Sequence, residues 1–192
     1  KPFGGAEELS WSPDGKTLAY SSRKKVGMEY ALSTNTDIYL YDLVSGQTKN
    51  VTAPNGGYDT HPRFSPDGKS LSWISMERDG YEADLKRLFV LDLRTGKKTY
   101  LTDGFEYDVD ETVWAPDSKS IYFLCTKEAE THLWELGLKK RSIRQITSGQ
   151  YDYTSVSLSA GKLLAGRQSY NDPKDLYLVD PHSGKAQQVT AE

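Results

Sequence analysis

The sequence is poor in the residues that carry most enzymatic chemistry: its 192 residues include one cysteine and three histidines. Cys125 stands in an apolar run between Leu124 and Thr126, so there is no disulfide framework and no zinc-type spacing, and a buried thiol is expected. The pentapeptide Gly-x-Ser-x-Gly, which sets a nucleophilic serine on a sharp strand-to-helix turn, does not occur. No apolar run approaches the roughly 20 residues that a membrane-spanning helix needs. Positive charge is also short. With 24 Lys and Arg against 27 Asp and Glu, the net charge of −3 argues against nucleic acid or an anionic membrane as a partner. No signal peptide is recognisable, and a chain that starts at Lys1 inside a pattern is expected to have been trimmed from a longer one.

What the sequence has in plenty is repetition. Trp11-Ser12-Pro13-Asp14-Gly15-Lys16 returns as Phe64-Ser65-Pro66-Asp67-Gly68-Lys69 and as Trp114-Ala115-Pro116-Asp117-Ser118-Lys119. Behind it a second element recurs, Asp37 to Leu43, Arg87 to Leu93, His132 to Leu138 and Asp175 to Asp180, each followed by a threonine: Thr52, Thr102, Thr147 and Thr190. The threonines fall 43 to 50 residues apart, a period that marks solenoids, propellers or arrays. In Ser-Pro-Asp-Gly the proline presets φ, the aspartate bonds its own backbone and the glycine takes a positive φ, so each copy reads as a tight turn between strands. Short aromatic and β-branched runs follow each turn, and Ser45-Gly46, Thr95-Gly96 and Ser183-Gly184 supply a second hairpin. The third repeat has Ser118 in place of glycine and no glycine in Lys139 to Ser142, so looser turns are expected there. The fourth keeps only Ser159-Ala160-Gly161-Lys162.

The unit is therefore four antiparallel strands, a to d, and four units make an all-β chain: a β-propeller arc of four four-stranded blades. The blades are expected at about 6–52, 53–102, 103–147 and 148–190 within one partial propeller domain, 1–192, with Trp11, Phe64 and Trp114 buried and strand d at an edge. No strand is reserved to close a ring, so an excised part of a seven- or eight-bladed propeller is favoured over a closed four-bladed ring. Such an arc leaves the outer faces of its end blades, with Leu18, Tyr20, Leu176 and Tyr177, open to self-association.

Strand alternation places the a–b and c–d hairpins on one face and the b–c loops and interblade links on the other. The second face carries the long, charged connections 23–36 and 77–86, and function concentrates on such loops. It also carries Tyr58-Asp59, Tyr107-Asp108 and Tyr151-Asp152, read as interblade packing by tyrosine and turn capping by aspartate. His61, His132 and His182 fall in different parts of the repeat and are not expected to converge as a base or a metal set. Asp103, Asp108, Asp110 and Glu111 lack the spacing of a calcium loop, so neither a metal nor a cofactor is expected.

The Trp-Ser-Pro-Asp-Gly-Lys and Asp-Ile-Tyr-Leu-Tyr-Asp-Leu repeats resemble the TolB-type propeller repeat over essentially the whole chain. More narrowly, residues 29–39 and 75–84 resemble bacterial dipeptidyl-peptidase-5-type members of the prolyl oligopeptidase family. The resemblance implies an N-terminal propeller that caps a C-terminal α/β-hydrolase domain of the parent chain, limits substrates to short peptides, and lies in the periplasm or another extracytoplasmic space. It implies no catalytic residue in this segment. Because such peptidases grip the substrate's α-amino group with propeller carboxylates, it also implies a substrate-binding loop of Glu77, Arg78, Asp79, Tyr81, Glu82 and Asp84. Glu7-Glu8 has only a superficial likeness to the paired glutamates of dipeptidyl peptidase IV, since the surrounding pattern is absent. Two other readings stay open: a TolB-like protein-binding platform with no enzyme domain, and an oligosaccharide lyase, which would need bases converging in its channel.

Overall fold

The computed structural model describes residues 8–190, and sixteen strands form four four-stranded antiparallel sheets, each a meander in chain order. The first sheet holds β1 (Leu9–Trp11), β2 (Thr17–Ser22), β3 (Asp37–Asp42) and β4 (Thr48–Asn50). The second holds β5 (Asp59–Phe64), β6 (Ser70–Ser75), β7 (Arg87–Asp92) and β8 (Lys98–Tyr100). The third holds β9 (Asp110–Trp114), β10 (Ser120–Lys127), β11 (Glu130–Gly137) and β12 (Ser142–Gln145), and the fourth β13 (Asp152–Ser159), β14 (Lys162–Gln168), β15 (Asp175–Val179) and β16 (Ala186–Gln188). These sheets are propeller blades. They fall into two compact units that part between Glu106 and Tyr107, two blades in each.

The repeated residues have identifiable work. In the first a–b turn the Ser12 hydroxyl donates to Asp14 Oδ1 at 2.7 Å and accepts from the Thr17 amide at 2.9 Å, while the Lys16 amide also reaches Asp14. Ser65 and Asp67 repeat those bonds. The third copy is not looser. Ser118 is forced to φ 59°, where Gly15 has 70° and Gly68 has 69°, and the Lys119 amide keeps its 3.0 Å bond to Asp117. The surrounding hairpin dictates the backbone, and serine adopts a conformation that L-residues disfavour. At three of the four c–d turns an aspartate at or just past the end of strand c, Asp42, Asp92 or Asp180, accepts amide hydrogens from the turn.

The recurring threonine locks strand d to strand c. Thr52 accepts from the Ile38 amide at 3.0 Å and donates to Asp37 at 2.9 Å; Thr190 does the same with Leu176 and Asp175. Thr102 and Thr147 accept from Leu88 and Leu133, each at 3.0 Å. A side-chain hydroxyl thus stands in for the missing ladder bond where a short strand d ends.

Packing separates the tryptophans. In the first unit Ala19, Ile38, Val51, Leu71, Trp73 and Leu91 form a core between the two sheets, with Phe64 half-buried against it. Trp11 occupies the position of Phe64 one repeat earlier and has no preceding sheet among the described residues to cover it. It is 57% exposed, contrary to the expectation of burial, whereas Trp114 is 5% exposed. In the second unit Tyr122, Leu124 and Leu133 of the third sheet meet Tyr153, Leu163, Ala165, Tyr177 and Val179 of the fourth. Tyr177 is therefore an inward residue, 8% exposed, and not part of an open end face; Leu176, beside it on the other side of β15, is 37% exposed. The alternation of a strand decides which is which. The expected start of the first blade at about residue 6, and Glu7, lie outside the described residues, and β1 is seen from Leu9.

Candidate functional site

The two long b–c loops of the first unit meet on one face. The first carries the short helix α1 (Met28–Leu32), which is followed by Ser33 and Thr34. Asp79 of the second loop accepts from the Ser33 hydroxyl at 2.8 Å, the Thr34 amide at 2.7 Å and the Thr34 hydroxyl at 3.2 Å, and the Gly80 amide donates back to Thr34 at 2.7 Å. Asp84 closes its own loop. It accepts from the amides of Glu77, Arg78 and Leu85 and from the Arg78 guanidinium at 3.0 Å, which holds its carboxyl down at about 2. The Ser33 hydroxyl and Thr34 likewise lower the Asp79 pKa.

Of the six residues expected to bind substrate, four are therefore parts of the loop's own framework. Asp79 and Asp84 have their oxygens filled, and Arg78 lies between Asp84 and the ring of Tyr81, 3.9 Å away. The other two have spare acceptors: among the described residues the Glu77 carboxylate pairs with Arg87, at 3.1 Å, with its side chain 70% exposed, and Glu82 accepts from the Tyr58 hydroxyl, at 3.4 Å.

Beneath this face lies a polar layer that sequence reasoning missed. Asp59 is 0% exposed, accepts from Trp73 Nε1 at 3.0 Å and Asn55 Nδ2 at 3.0 Å, and receives Ser21 and Thr36 hydroxyls on its backbone carbonyl. Burial pushes its carboxyl up to about 6 against the opposing pull of the Ser75, Asn55, Thr52 and Trp73 side chains. Asn55 continues to the Met76 carbonyl at 2.9 Å, and Asn35 reaches the carbonyls of Asn55 and Gly57. A Cβ at Gly57 would collide with the Met76 carbonyl, so the close approach of link and loop requires glycine. The Tyr-Asp repeat was the available signal, yet its aspartates differ: Asp152 caps the Thr131 amide at 2.9 Å, while Asp59 is a buried hub.

The histidines do not assemble. His132 is buried between Glu130 and Thr147, and the His182 amide belongs to a c–d turn. His61, at φ 54° in a bulge of β5, takes its amide to the Glu8 carboxylate at 3.1 Å, a juxtaposition that the spacing of these residues did not suggest. Burial raises Cys125 to about 12, which leaves it an inert thiol. Among the described residues no group of three or more His, Cys, Asp or Glu is placed to hold a metal, and no helix is long and apolar enough to cross a membrane.

Residues 8–192 match the TolB beta propeller domain family. The chain belongs to that family. Over all 192 residues it is 62% identical to the Dipeptidyl-peptidase 5 of Porphyromonas gingivalis, of which it spans 28% of the length. Among solved structures it is similar to a putative TolB from Agrobacterium tumefaciens, with a TM-score of 0.74 and 23% identity, covering 94% of this chain and 63% of that one. It is also similar to an acylaminoacyl peptidase from Pyrococcus horikoshii, with a TM-score of 0.70 and 18% identity, covering 95% of this chain and 27% of that one. At such identities these two likenesses establish the fold alone. The TolB propeller repeat and its occurrence as a segment of dipeptidyl-peptidase-type chains thus agree with the sequence resemblance.

Proposed function

We propose that this chain is a non-catalytic propeller segment of a serine dipeptidyl peptidase, capping the parent's α/β-hydrolase domain, limiting access to short peptides and helping to hold their N-termini outside the cytoplasm. The observation that carries this reading is the 62% identity to a dipeptidyl-peptidase 5 along the whole of this chain. Within the loop at 77–84, Glu77 and Glu82 are the acids that contact the substrate's ammonium group, because their oxygens are the ones not filled by loop donors. Asp79, Asp84, Arg78 and Tyr81 keep the loop in shape around them. A charge-assisted bond to one such carboxylate suits an ammonium ligand.

The test uses the full-length parent protein. Glu77→Gln and Glu82→Gln are expected to raise KM for free-amine dipeptidyl substrates by roughly tenfold, about 1.4 kcal/mol, and to leave N-acetylated ones within twofold. The 192-residue segment alone is expected to turn over none of them. Variants with unchanged kcat/KM for both substrate types would reduce the loop to a surface. A parent protein that cleaves no dipeptidyl substrate would instead favour a TolB-like binding platform, the reading that shares the fold of the Agrobacterium protein.

A further inference from the structure

Near the loop end of the second unit, where the third and fourth sheets pack together, lies a half-buried cation with no carboxylate partner among the described residues. Arg167, near the end of β14, lies on the same side of its strand as Leu163 and Ala165, which pack toward the third sheet. Its guanidinium carbon is 3.6 Å from the ring centre of Tyr177 and 4.1 Å from that of Tyr151. The Tyr153 and Tyr177 hydroxyls accept hydrogen bonds from it, and burial raises the Tyr153 pKa, so these partners are neutral hydroxyls and bring no charge. Asp175 stands directly across the ladder, but its two oxygens are taken by Thr190 at 2.8 Å and Gln188 at 2.9 Å.

The other blades supply a comparison. The third residue of strand c carries a cation over its ring in three of them: Lys24 over Tyr39, Arg87 over Phe89, and Arg167 over Tyr177. Lys24 is exposed and donates to the Tyr20 hydroxyl at 3.0 Å. Arg87 is half-buried like Arg167, and there the edge of the guanidinium is completed by the Ser75 carbonyl at 3.3 Å and the Glu77 carboxylate at 3.1 Å. In the fourth blade the cation and its stacking ring are kept while the carboxylate is missing. A ring over a guanidinium leaves its edge as the direction of hydrogen bonding, and that planar edge, which here meets only neutral hydroxyls among the described residues, matches a carboxylate with two parallel N–H···O bonds.

The geometry points to Arg167, stacked on Tyr151 and Tyr177, as a binding site for a peptide carboxylate on the loop face of the second unit. The inference rests on the peptidase reading for its ligand class, and Arg167, Tyr151 and Tyr177 all belong to this chain. The carboxylate is either the C-terminus of a short peptide or an acidic side chain near it. Arg167 would then favour short peptides, whose terminal charge lies within reach, over longer ones.

The experiment uses full-length parent protein and a tetrapeptide in three forms: free acid, C-terminal amide, and amide with one glutamate side chain. Arg167→Met is expected to lower kcat/KM roughly tenfold for whichever carboxylate form the wild type prefers, with the uncharged amide within twofold. Arg167→Lys, which keeps the charge and loses the fork, recovers only part of the preference, and Tyr151→Ala, which removes one wall and no charge, weakens it. Equal losses on charged and uncharged peptides, or no loss on either, would overturn the assignment. Calorimetric binding of the same peptides, made uncleavable at the scissile bond, separates the two questions. A parent that cleaves nothing sinks the peptidase reading, while the carboxylate dependence of binding still decides Arg167.

Discussion

Asp59 offers a perturbation whose size follows from its surroundings. Its carboxyl is fully buried against Trp73 and Asn55, and burial raises its pKa from the ordinary 3.8 to about 6. Because the folded chain holds this proton more tightly than the unfolded one, the group favours folding in full below pH 3.8, and the contribution is lost as pH rises through about 6. A shift from 3.8 to about 6, at 1.36 kcal/mol per pKa unit, corresponds to about 3 kcal/mol. Asp59→Asn resembles the protonated acid in shape and lacks the titration. Other carboxylates, such as Asp84 with its pKa lowered to about 2, act in the opposite direction, so the informative quantity is the difference between wild type and variant. Urea unfolding of both proteins in steps from pH 4 to pH 8 is expected to show that difference moving by about 2.5 kcal/mol in favour of the asparagine variant as pH rises, the rest having been lost below pH 4. A difference that stays level across that range would mean that Asp59 is solvated or charged in the native state, and the buried-hub account would fall.

Two further outcomes follow from the repeats. Ser118→Gly relieves a positive φ that its sister turns fill with glycine and is expected to stabilise the chain by about 0.5–1 kcal/mol in the same unfolding assay, a gain reduced by the extra freedom of glycine in the unfolded state; a loss of stability would show that the serine is held by contacts worth more than its strain. The outward face of the first blade, with Leu9 and Trp11 exposed, and that of the fourth, with Leu176, are expected to drive the isolated segment to associate, since burying one such side chain contributes roughly 1.5–3 kcal/mol; sedimentation should show concentration-dependent pairing that Trp11→Ser weakens, and a strict monomer would refute it.

Much of this architecture was legible because it rests on bonds between near neighbours in the chain. Ser12 with Asp14, Asp42 with Ser45, and Thr52 with Ile38 all lie within one hairpin, so residue type and spacing specify them, and their recurrence specifies four blades. The loop face could also be named from strand alternation. Its internal assignments could not, because Asp79 is consumed by Ser33 and Thr34, some 45 residues away, and four acids in one loop look alike until their donors are known. The same holds for burial. Trp11 and Trp114 sit in equivalent turns, yet one is exposed and the other covered, and Asp59 and Asp152 share a motif while one is a buried acid and the other a cap. Arg167, Tyr151 and Tyr177 come together only when β13, β14 and β15 pair. Local hydrogen bonding is written in adjacent residues, whereas desolvation and charge pairing depend on which distant surface arrives. The sequence by itself therefore determined the blades, and the tertiary structure decided which of their polar groups remain free to bind.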